Sequence, residues 1–152
     1  MKGYIVCLLL FFMTSTSLSQ NTKQPKNYIS IGFLDHKTGT SMIGYTKNIL
    51  QNQNNEIFIG FGTILASNTF VLGLKKYLFR AFFDGYSTIS MQQIYGMGGN
   101  GIRAPAISVG VEKKIWKIFF INLGVNSTIL EFESIDNHDV RILPNLNLSI
   151  RF

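Results

Sequence analysis

The chain ends in the stretch Leu146-Asn-Leu-Ser-Ile-Arg-Phe152, in which apolar and polar residues alternate without a break. Leu146, Leu148, Ile150 and Phe152 fall on one face of an extended strand, because successive side chains of a strand point to opposite sides. The polar residues between them fall on the other face. This period-two pattern predicts a strand with one face in an apolar medium and the other in a polar interior. The alternative is the edge strand of a soluble β-sandwich.

The N-terminus has the three regions of a secretory signal peptide. Lys2 supplies a positive charge, residues 4–13 form an apolar run, and residues 14–19 are small and rich in hydroxyl groups. The apolar run is too short to span a bilayer as a helix, which needs about 20 residues. We therefore predict a signal peptide at 1–19, followed by a short periplasmic leader at 20–27.

The composition favours a membrane β-barrel over a soluble domain. Charged residues make up 14% of the chain and aromatic residues 13%, whereas soluble domains usually carry about 25% charged residues. No segment after the signal peptide is apolar for long enough to form a spanning helix, so the apolar residues are dispersed, as in a barrel. The only cysteine, Cys7, lies in the signal peptide, which excludes disulfides from the mature chain. The net charge of +6 does not indicate nucleic-acid binding, because the basic residues form no single stripe.

Turn signals divide the rest of the chain into eight segments of alternating polarity. The predicted strands cover about 28–35, 40–49, 56–65, 69–78, 86–95, 105–113, 117–131 and 140–152. An even number of strands returns both ends to the same side of a membrane, and the strands must close because unpaired edges are costly in lipid. We therefore predict an all-β fold, an eight-stranded antiparallel up-and-down transmembrane β-barrel domain over 28–152.

The polar faces of the predicted strands are rich in glycine. Small residues there would leave room for inward aromatic side chains, because side chains fill the interior of an eight-stranded barrel. The inward glycines are Gly32, Gly44, Gly60, Gly62, Gly73, Gly110 and Gly124.

Charged residues are also predicted on the inner face, near the mouth where the two termini lie. Because an isolated buried charge is costly, we expect charges of opposite sign to pair across the lumen and plug it. The alternative is a set of solvated charges at an open mouth. The predicted lumen charge cluster consists of Glu56, Lys75, Glu112 and Arg151.

The same end of the predicted barrel collects aromatic and basic residues. Phe79, Trp116 and Phe152 are predicted to form an interfacial girdle at one height. Basic residues near the turns at this end would suit anionic phospholipid headgroups.

Histidine, acidic and glycine motifs at the opposite rim raise other hypotheses. His36 and His138 are predicted on this rim, but the Ser–His–acid arrangement of a hydrolase is not evident. The acidic loop at 131–139 lacks a calcium-loop pattern. Gly96–Gly101 matches G-x-G-x-x-G, but an alternating strand follows where a nucleotide site needs a helix. We predict no catalytic residue, no cofactor and no metal.

The chain end resembles the C-terminal assembly signal of bacterial outer-membrane β-barrels. Asn145 takes the polar position of that signal, Ile150 and Phe152 take the apolar positions, and Asn147 stands where glycine is usual. Over 28–152 the chain is similar in plan to the small barrels of the outer-membrane protein A family. The resemblance implies an outer-membrane location, contact with lipopolysaccharide and phospholipid, and the barrel-assembly machinery as a partner during insertion.

These features together predict a monomeric, non-enzymatic envelope protein with a plugged or very narrow lumen. One alternative is an exported soluble lipid-binding barrel of the lipocalin type, whose apolar faces would point inward. Another is a lipid A-modifying outer-membrane enzyme.

Overall fold

A computed structural model describes residues 25–96, 101–131 and 138–152 of the chain. These residues form a closed barrel of eight antiparallel strands, and the order of the strands in the sheet follows the chain. The strands are β1 (Asn27–Phe33), β2 (Ile43–Gln51), β3 (Asn55–Ile64), β4 (Ser67–Arg80), β5 (Asp84–Gly96), β6 (Gly101–Trp116), β7 (Phe119–Glu131) and β8 (His138–Arg151). This confirms the predicted all-β fold with eight strands in a closed antiparallel barrel.

Several sequence predictions fall outside the described residues. These are the signal peptide at 1–19, most of the leader, the centre of the glycine-rich loop at 97–100 and the acidic segment at 132–137. Within the described ranges, no helix is long and apolar enough to cross a membrane.

The strand boundaries differ most from the predicted ones around β1, β2 and the β4–β5 turn. β1 ends at Phe33 and β2 begins only at Ile43, because the segment between them leaves the barrel wall. The β4–β5 turn is confined to 81–83, shorter than the predicted 79–85. A bulge between Tyr77 and Phe79 shifts the strand register there, and this extra residue is what breaks the alternation of the sequence.

The two faces of the barrel wall have opposite chemistry. Outward side chains are apolar and exposed, as Leu72, Val109 and Leu148 illustrate with 50%, 52% and 42% of their surface accessible. Most buried side chains are polar or charged, for example Asn145 and Asn147 on the inner face of β8. The alternation therefore predicted the direction of the side chains correctly, with apolar residues outward and polar residues toward the lumen.

Glycines on the inner face make room for large side chains, as the sequence predicted for them. A Cβ atom added at Gly73 would lie 2.5 Å from the ring of Phe58, and one at Gly110 would lie 2.8 Å from the Tyr86 hydroxyl. Gly110 and Gly124 also face each other across β6 and β7. A side chain at either position would press on the backbone of the neighbouring strand.

We expect Gly124→Val to lower the free energy of unfolding by about 1–3 kcal/mol, the usual cost of overpacking. The added Cβ would lie 2.5 Å from the Val109 carbonyl oxygen and 2.9 Å from the Gly110 Cα. Gly96→Val is the matched control, because nothing lies within 4 Å of a Cβ at that position. Urea unfolding in detergent micelles measures the difference, and equal stability of the two variants would contradict this packing argument.

Candidate functional site

The connection between β1 and β2 folds into the barrel. We call residues 34–42 the inserted loop. Leu34, with φ 52°, turns the chain inward, and Gly39, with φ 73°, turns it back. Between them, Asp35 and Gly39 exchange two backbone hydrogen bonds of 3.0 and 2.7 Å. Every side chain from Leu34 to Thr38 is buried. The turn between the first two predicted strands is present, at 36–38, but it lies in the lumen and not at the rim of the barrel, where His36 was predicted.

Glycines on β2 and β3 provide the space for the inserted loop. Gly44 and Gly62 pair directly across the two strands. A Cβ at Gly44 would collide with the Thr38 side chain, and one at Gly62 would lie 2.8 Å from the Thr38 carbonyl oxygen. A Cβ at Gly60 would collide with the carbonyl of Lys37. On this side of the barrel the inward glycines make room for the backbone of the inserted loop. The sequence pattern had predicted only that they make room for aromatic side chains.

Lys37 carries the inserted loop across the lumen toward the termini. Its ammonium nitrogen lies 2.5 Å from Glu56 Oε2 and 3.1 Å from Asn48 Oδ1. The same nitrogen lies 3.8 Å from the centre of the Tyr28 ring. We call the end of the barrel where β1 begins and β8 ends the terminal end. Glu56 is the second residue of β3, which begins at this end. The loop enters from the opposite end and forms an ion pair close to the terminal end.

The four residues of the predicted lumen charge cluster all lie inside the barrel, but they pair in two groups. Lys75 Nζ lies 2.5 Å from Glu112 Oε2, and Arg151 Nη2 lies 2.6 Å from the same oxygen. Glu56 instead pairs with Lys37, which lies between the first two predicted strands and was not among the predicted lumen charges. All four are at most 8% exposed, so they are buried and are not solvated charges at an open mouth.

Tyrosine hydroxyls connect the two groups. The Tyr77 hydroxyl lies 2.7 Å from Glu112 Oε1 and 3.2 Å from Glu56 Oε1, within hydrogen-bond distance of both carboxylates. Tyr28 donates to the same Glu56 oxygen at 3.2 Å. Buried carboxylates need such donors, because burial removes the hydrogen bonds that water would provide. The network therefore joins β1, β3, β4, β6, β8 and the inserted loop.

The buried charges inside the barrel cancel. Burial, together with the positive charge of Lys75, lowers the pKa of His36 to about 4, so this imidazole is neutral at neutral pH. Among the described residues, the other buried charged side chains are three basic and three acidic ones. They are Lys37, Lys75 and Arg151, and Asp35, Glu56 and Glu112. The inserted loop contributes one charge of each sign, so its insertion keeps the lumen electrically neutral.

His36 lies in the lumen, so its predicted place on the outer rim is wrong. Its Nδ1 atom lies 3.1 Å from Asp35 Oδ1 and 3.3 Å from the Tyr86 hydroxyl, and the two rings are 4.4 Å apart. With 3% of its surface exposed, it cannot contact a lipid A substrate outside the barrel. His138 begins β8, but its side chain lies outside the described residues.

Polar side chains of β7 and β8 fill the other side of the lumen. Asn122 Nδ2 donates to Asn147 Oδ1 at 2.8 Å and to Ser149 Oγ at 3.2 Å. Asn147 Nδ2 in turn donates to the Leu34 carbonyl at 3.5 Å, which ties the inserted loop to β8. A cavity of about 10 Å³ remains between the loop and this wall, roughly the space of one water molecule. This cavity is too small for an organic cofactor.

No group of three or more His, Cys, Asp or Glu residues within the described ranges is arranged to hold a metal ion. The buried carboxylates accept hydrogen bonds from lysine, arginine and tyrosine side chains. Protein side chains and the inserted loop fill the lumen, and its carboxylates are paired with basic side chains.

The residues of the predicted girdle lie at the terminal end of the barrel. Phe79 and Trp116 are near the ends of β4 and β6, Phe152 ends the chain, and all three are largely exposed. Trp116 stacks on Phe119 with 6.1 Å between ring centres. Exposed aromatic rings therefore lie at the terminal end of β4, β6 and β8.

The residues of the predicted assembly signal belong to the strand that closes the barrel. Asn145 is fully buried in the lumen, whereas Ile150 is half-buried and pairs with Ile29 of β1. Phe152 exchanges two backbone hydrogen bonds with Asn27, of 3.0 and 3.1 Å. The stretch that resembles the assembly signal thus forms the seam between the first and last strands.

Comparisons of the chain with protein-family models, curated proteins and solved structures find no significant match.

We expect Lys37→Met to lower the free energy of unfolding by about 3–5 kcal/mol, because it leaves the Glu56 carboxylate buried without its ion-pair partner. Adding Glu56→Gln should recover most of this loss, since the double variant leaves no charge stranded. Lys47→Met is the control; Lys47 is exposed, and its loss should change stability by no more than about 0.5 kcal/mol. Urea unfolding in zwitterionic detergent gives all three values. A double variant no more stable than Lys37→Met would contradict the stranded-charge explanation.

Proposed function

We propose that this chain is an integral outer-membrane β-barrel with a closed lumen, which serves the cell envelope as a non-enzymatic protein. The observation that carries the proposal is the belt of exposed apolar side chains around the closed barrel. The belt includes Ile29, Ile31, Tyr45, Phe61, Phe70, Leu72, Met91, Ile107, Val109, Leu123, Val125, Leu146 and Leu148. Surface of this kind is unfavourable in water by roughly 25 cal/mol per Å², and lipid acyl chains would cover it.

The closed hydrogen-bonded ladder also fits a lipid environment. Lipid offers no partner to an unpaired backbone group, so a spanning sheet has to close on itself. β1 pairs with β8 over six residue pairs, which leaves no edge strand in the barrel. Because the barrel has no exposed strand edge, it does not need a second copy of the chain to cover an edge, which is consistent with a monomer.

The interior argues against the alternative of a soluble lipid-binding barrel. Such a protein needs an apolar cavity for its ligand. Here the described residues put six charged side chains, many amide and hydroxyl groups and the inserted loop into the lumen, with a cavity of about 10 Å³ beside the loop. The same crowding supports a sealed interior that is not an open pore, because an eight-stranded barrel is only wide enough for side chains to fill it.

Export and membrane partners belong to the same proposal. The signal peptide at 1–19 would take the chain across the inner membrane. The terminal strand, with its assembly-signal residues at the seam, would be recognised by the barrel-assembly machinery. Lipopolysaccharide and phospholipid would then surround the apolar belt, and the exposed aromatic residues at the terminal end would lie at an interface.

We expect Leu72→Arg to destabilise the protein in lipid vesicles by about 2–4 kcal/mol, the cost of a basic residue at mid-membrane. Leu72 lies near the middle of β4, between Ile59 and Met91 of the neighbouring strands. Leu65→Arg is the matched control, because Leu65 is fully exposed in the turn after β3, outside the belt. Urea unfolding in phosphatidylcholine vesicles measures both.

A soluble barrel would give a different result for the Leu72→Arg and Leu65→Arg variants. In water both leucines are exposed, so both substitutions should be nearly neutral and should improve solubility. Fractionation provides an independent check: the proposal requires recovery in the outer-membrane fraction and a gel mobility that changes on heating. Recovery in a periplasmic wash without detergent would reject the proposal.

We expect no steady single-channel current from the wild-type protein in planar bilayers. Replacing residues 35–41 with the dipeptide Asn-Gly should give a steady current, because it uncovers the groove along Gly44, Gly60 and Gly62. Heat-modifiable mobility identifies the preparations that have folded. A steady wild-type current would contradict the closed lumen, and a folded but silent loop variant would contradict the assignment of the seal to the inserted loop.

A further inference from the structure

Basic side chains surround the terminal end of the barrel. Seven of them in the described residues lie at this end, and none of the seven is buried. They are Lys26, Lys47, Lys76, Arg80, Lys113, Lys114 and Lys117. Among the described side chains at this end that are not buried, Asp84 is the one acidic residue. Glu56 and Glu112 also belong to this end, but they are buried and paired inside the lumen.

The opposite end has a different charge balance. Its exposed basic side chains in the described residues are Arg103 and Arg141. The sequence segment 131–139, within which β7 ends and β8 begins, contains four acidic residues. The positive charge is therefore concentrated at the terminal end.

Three of the basic groups at the terminal end lie over aromatic rings. Lys113 Nζ is 3.2 Å from the centre of the Phe82 ring, and Lys114 Nζ is 6.0 Å from that of Phe120. The Arg80 guanidinium carbon lies 4.2 Å from the centre of the Tyr77 ring. Contact with a ring face stabilises a cation while leaving part of its N–H donors directed away from the ring.

These basic groups lie at the height of the exposed aromatic residues. Lys113 faces outward in β6, opposite the outward Ile121 of β7, and Trp116 follows it on the same strand. Lysine side chains next to an apolar surface extend their ammonium groups toward the polar region of a membrane. Ammonium groups at this level can donate hydrogen bonds to the phosphate groups of lipid headgroups.

The distribution around the barrel favours a lipid over a protein or nucleic acid. The basic residues lie before β1, on β2, β4 and β6, and in the turn after β6, so they encircle the barrel and do not form a patch on one side. A macromolecule that docks from one side would contact only part of such a ring. A shell of lipid headgroups contacts all of it.

We propose that this basic–aromatic rim binds the phosphate groups of anionic phospholipids and so holds the terminal end in an anionic phospholipid leaflet. The inference rests on the proposed membrane location and adds to it the class of lipid and the end of the barrel that binds it. Each basic residue near an anionic membrane surface strengthens binding about fivefold, so loss of a few of them should have a measurable effect.

Trp116 provides a direct test, because it is the single tryptophan of the chain and lies in this rim. The full-length protein is reconstituted in phosphatidylcholine vesicles that contain the same fraction of either brominated phosphatidylglycerol or brominated phosphatidylcholine. Bromine quenches tryptophan fluorescence on contact. We expect the anionic lipid to quench Trp116 with an apparent affinity at least about fivefold higher than that of the zwitterionic lipid.

Bromine quenches on contact, so Trp116 reports on the lipids next to it; the test variant therefore removes the three lysines that flank Trp116 in the sequence, by Lys113→Gln, Lys114→Gln and Lys117→Gln, and it should reduce this preference to near unity. The matched control combines Arg103→Gln and Arg141→Gln at the opposite end, and it should keep the wild-type preference. Heat-modifiable mobility shows that each variant is folded.

Three outcomes would overturn the inference, and they differ in what they leave standing. Equal quenching by both brominated lipids, or a preference that survives in the triple variant, would reject lipid selection by the rim but leave the membrane barrel intact. Absence of quenching by either lipid would show that Trp116 contacts no bilayer, and it would overturn the proposed function together with this inference.

Discussion

The pairing of β1 with β8 is the constraint on which the rest of the structure depends. Once this seam closes, backbone groups are paired around the whole barrel wall, and the wall has only an inner and an outer face. Asn27 and Phe152 complete the seam with two backbone hydrogen bonds. The alternation of each strand then fixes which side chains point inward, since a shift of one residue would exchange the two faces. An apolar exterior and a polar interior follow from this closure.

Charged side chains buried in a barrel need partners of opposite charge, and the inserted loop supplies one of these partners to Glu56. Without Lys37, Glu56 would lack the cation that lies 2.5 Å from it. Without Asp35, the loop would add a net positive charge to a lumen in which Lys75 and Arg151 already balance Glu56 and Glu112. The loop therefore fills space and balances charge at once. The tyrosine hydroxyls extend the network to the carboxylates on both sides.

The two ends of the barrel differ in chemistry, although the wall between them is uniform. The terminal end has exposed aromatic rings with basic groups lying on them, and the short β4–β5 and β6–β7 turns bring these groups together. The opposite end has the connection that folds inward. In the proposed membrane setting, this difference gives the barrel a defined orientation: one end is suited to phosphate groups, and the other is closed by its own chain.

The sequence by itself determined the number of strands, the direction of their side chains, and the inward position of Glu56, Lys75, Glu112 and Arg151. Alternation is a local property, so it can be read without knowing which strands are neighbours. Only the tertiary structure decided the path of residues 34–42 and the pairing of the charges. The inward glycines at 44, 60 and 62 were the available signals. Their meaning depends on contacts between strands, and on a lysine that meets a carboxylate 19 residues away; no period within one strand encodes such contacts.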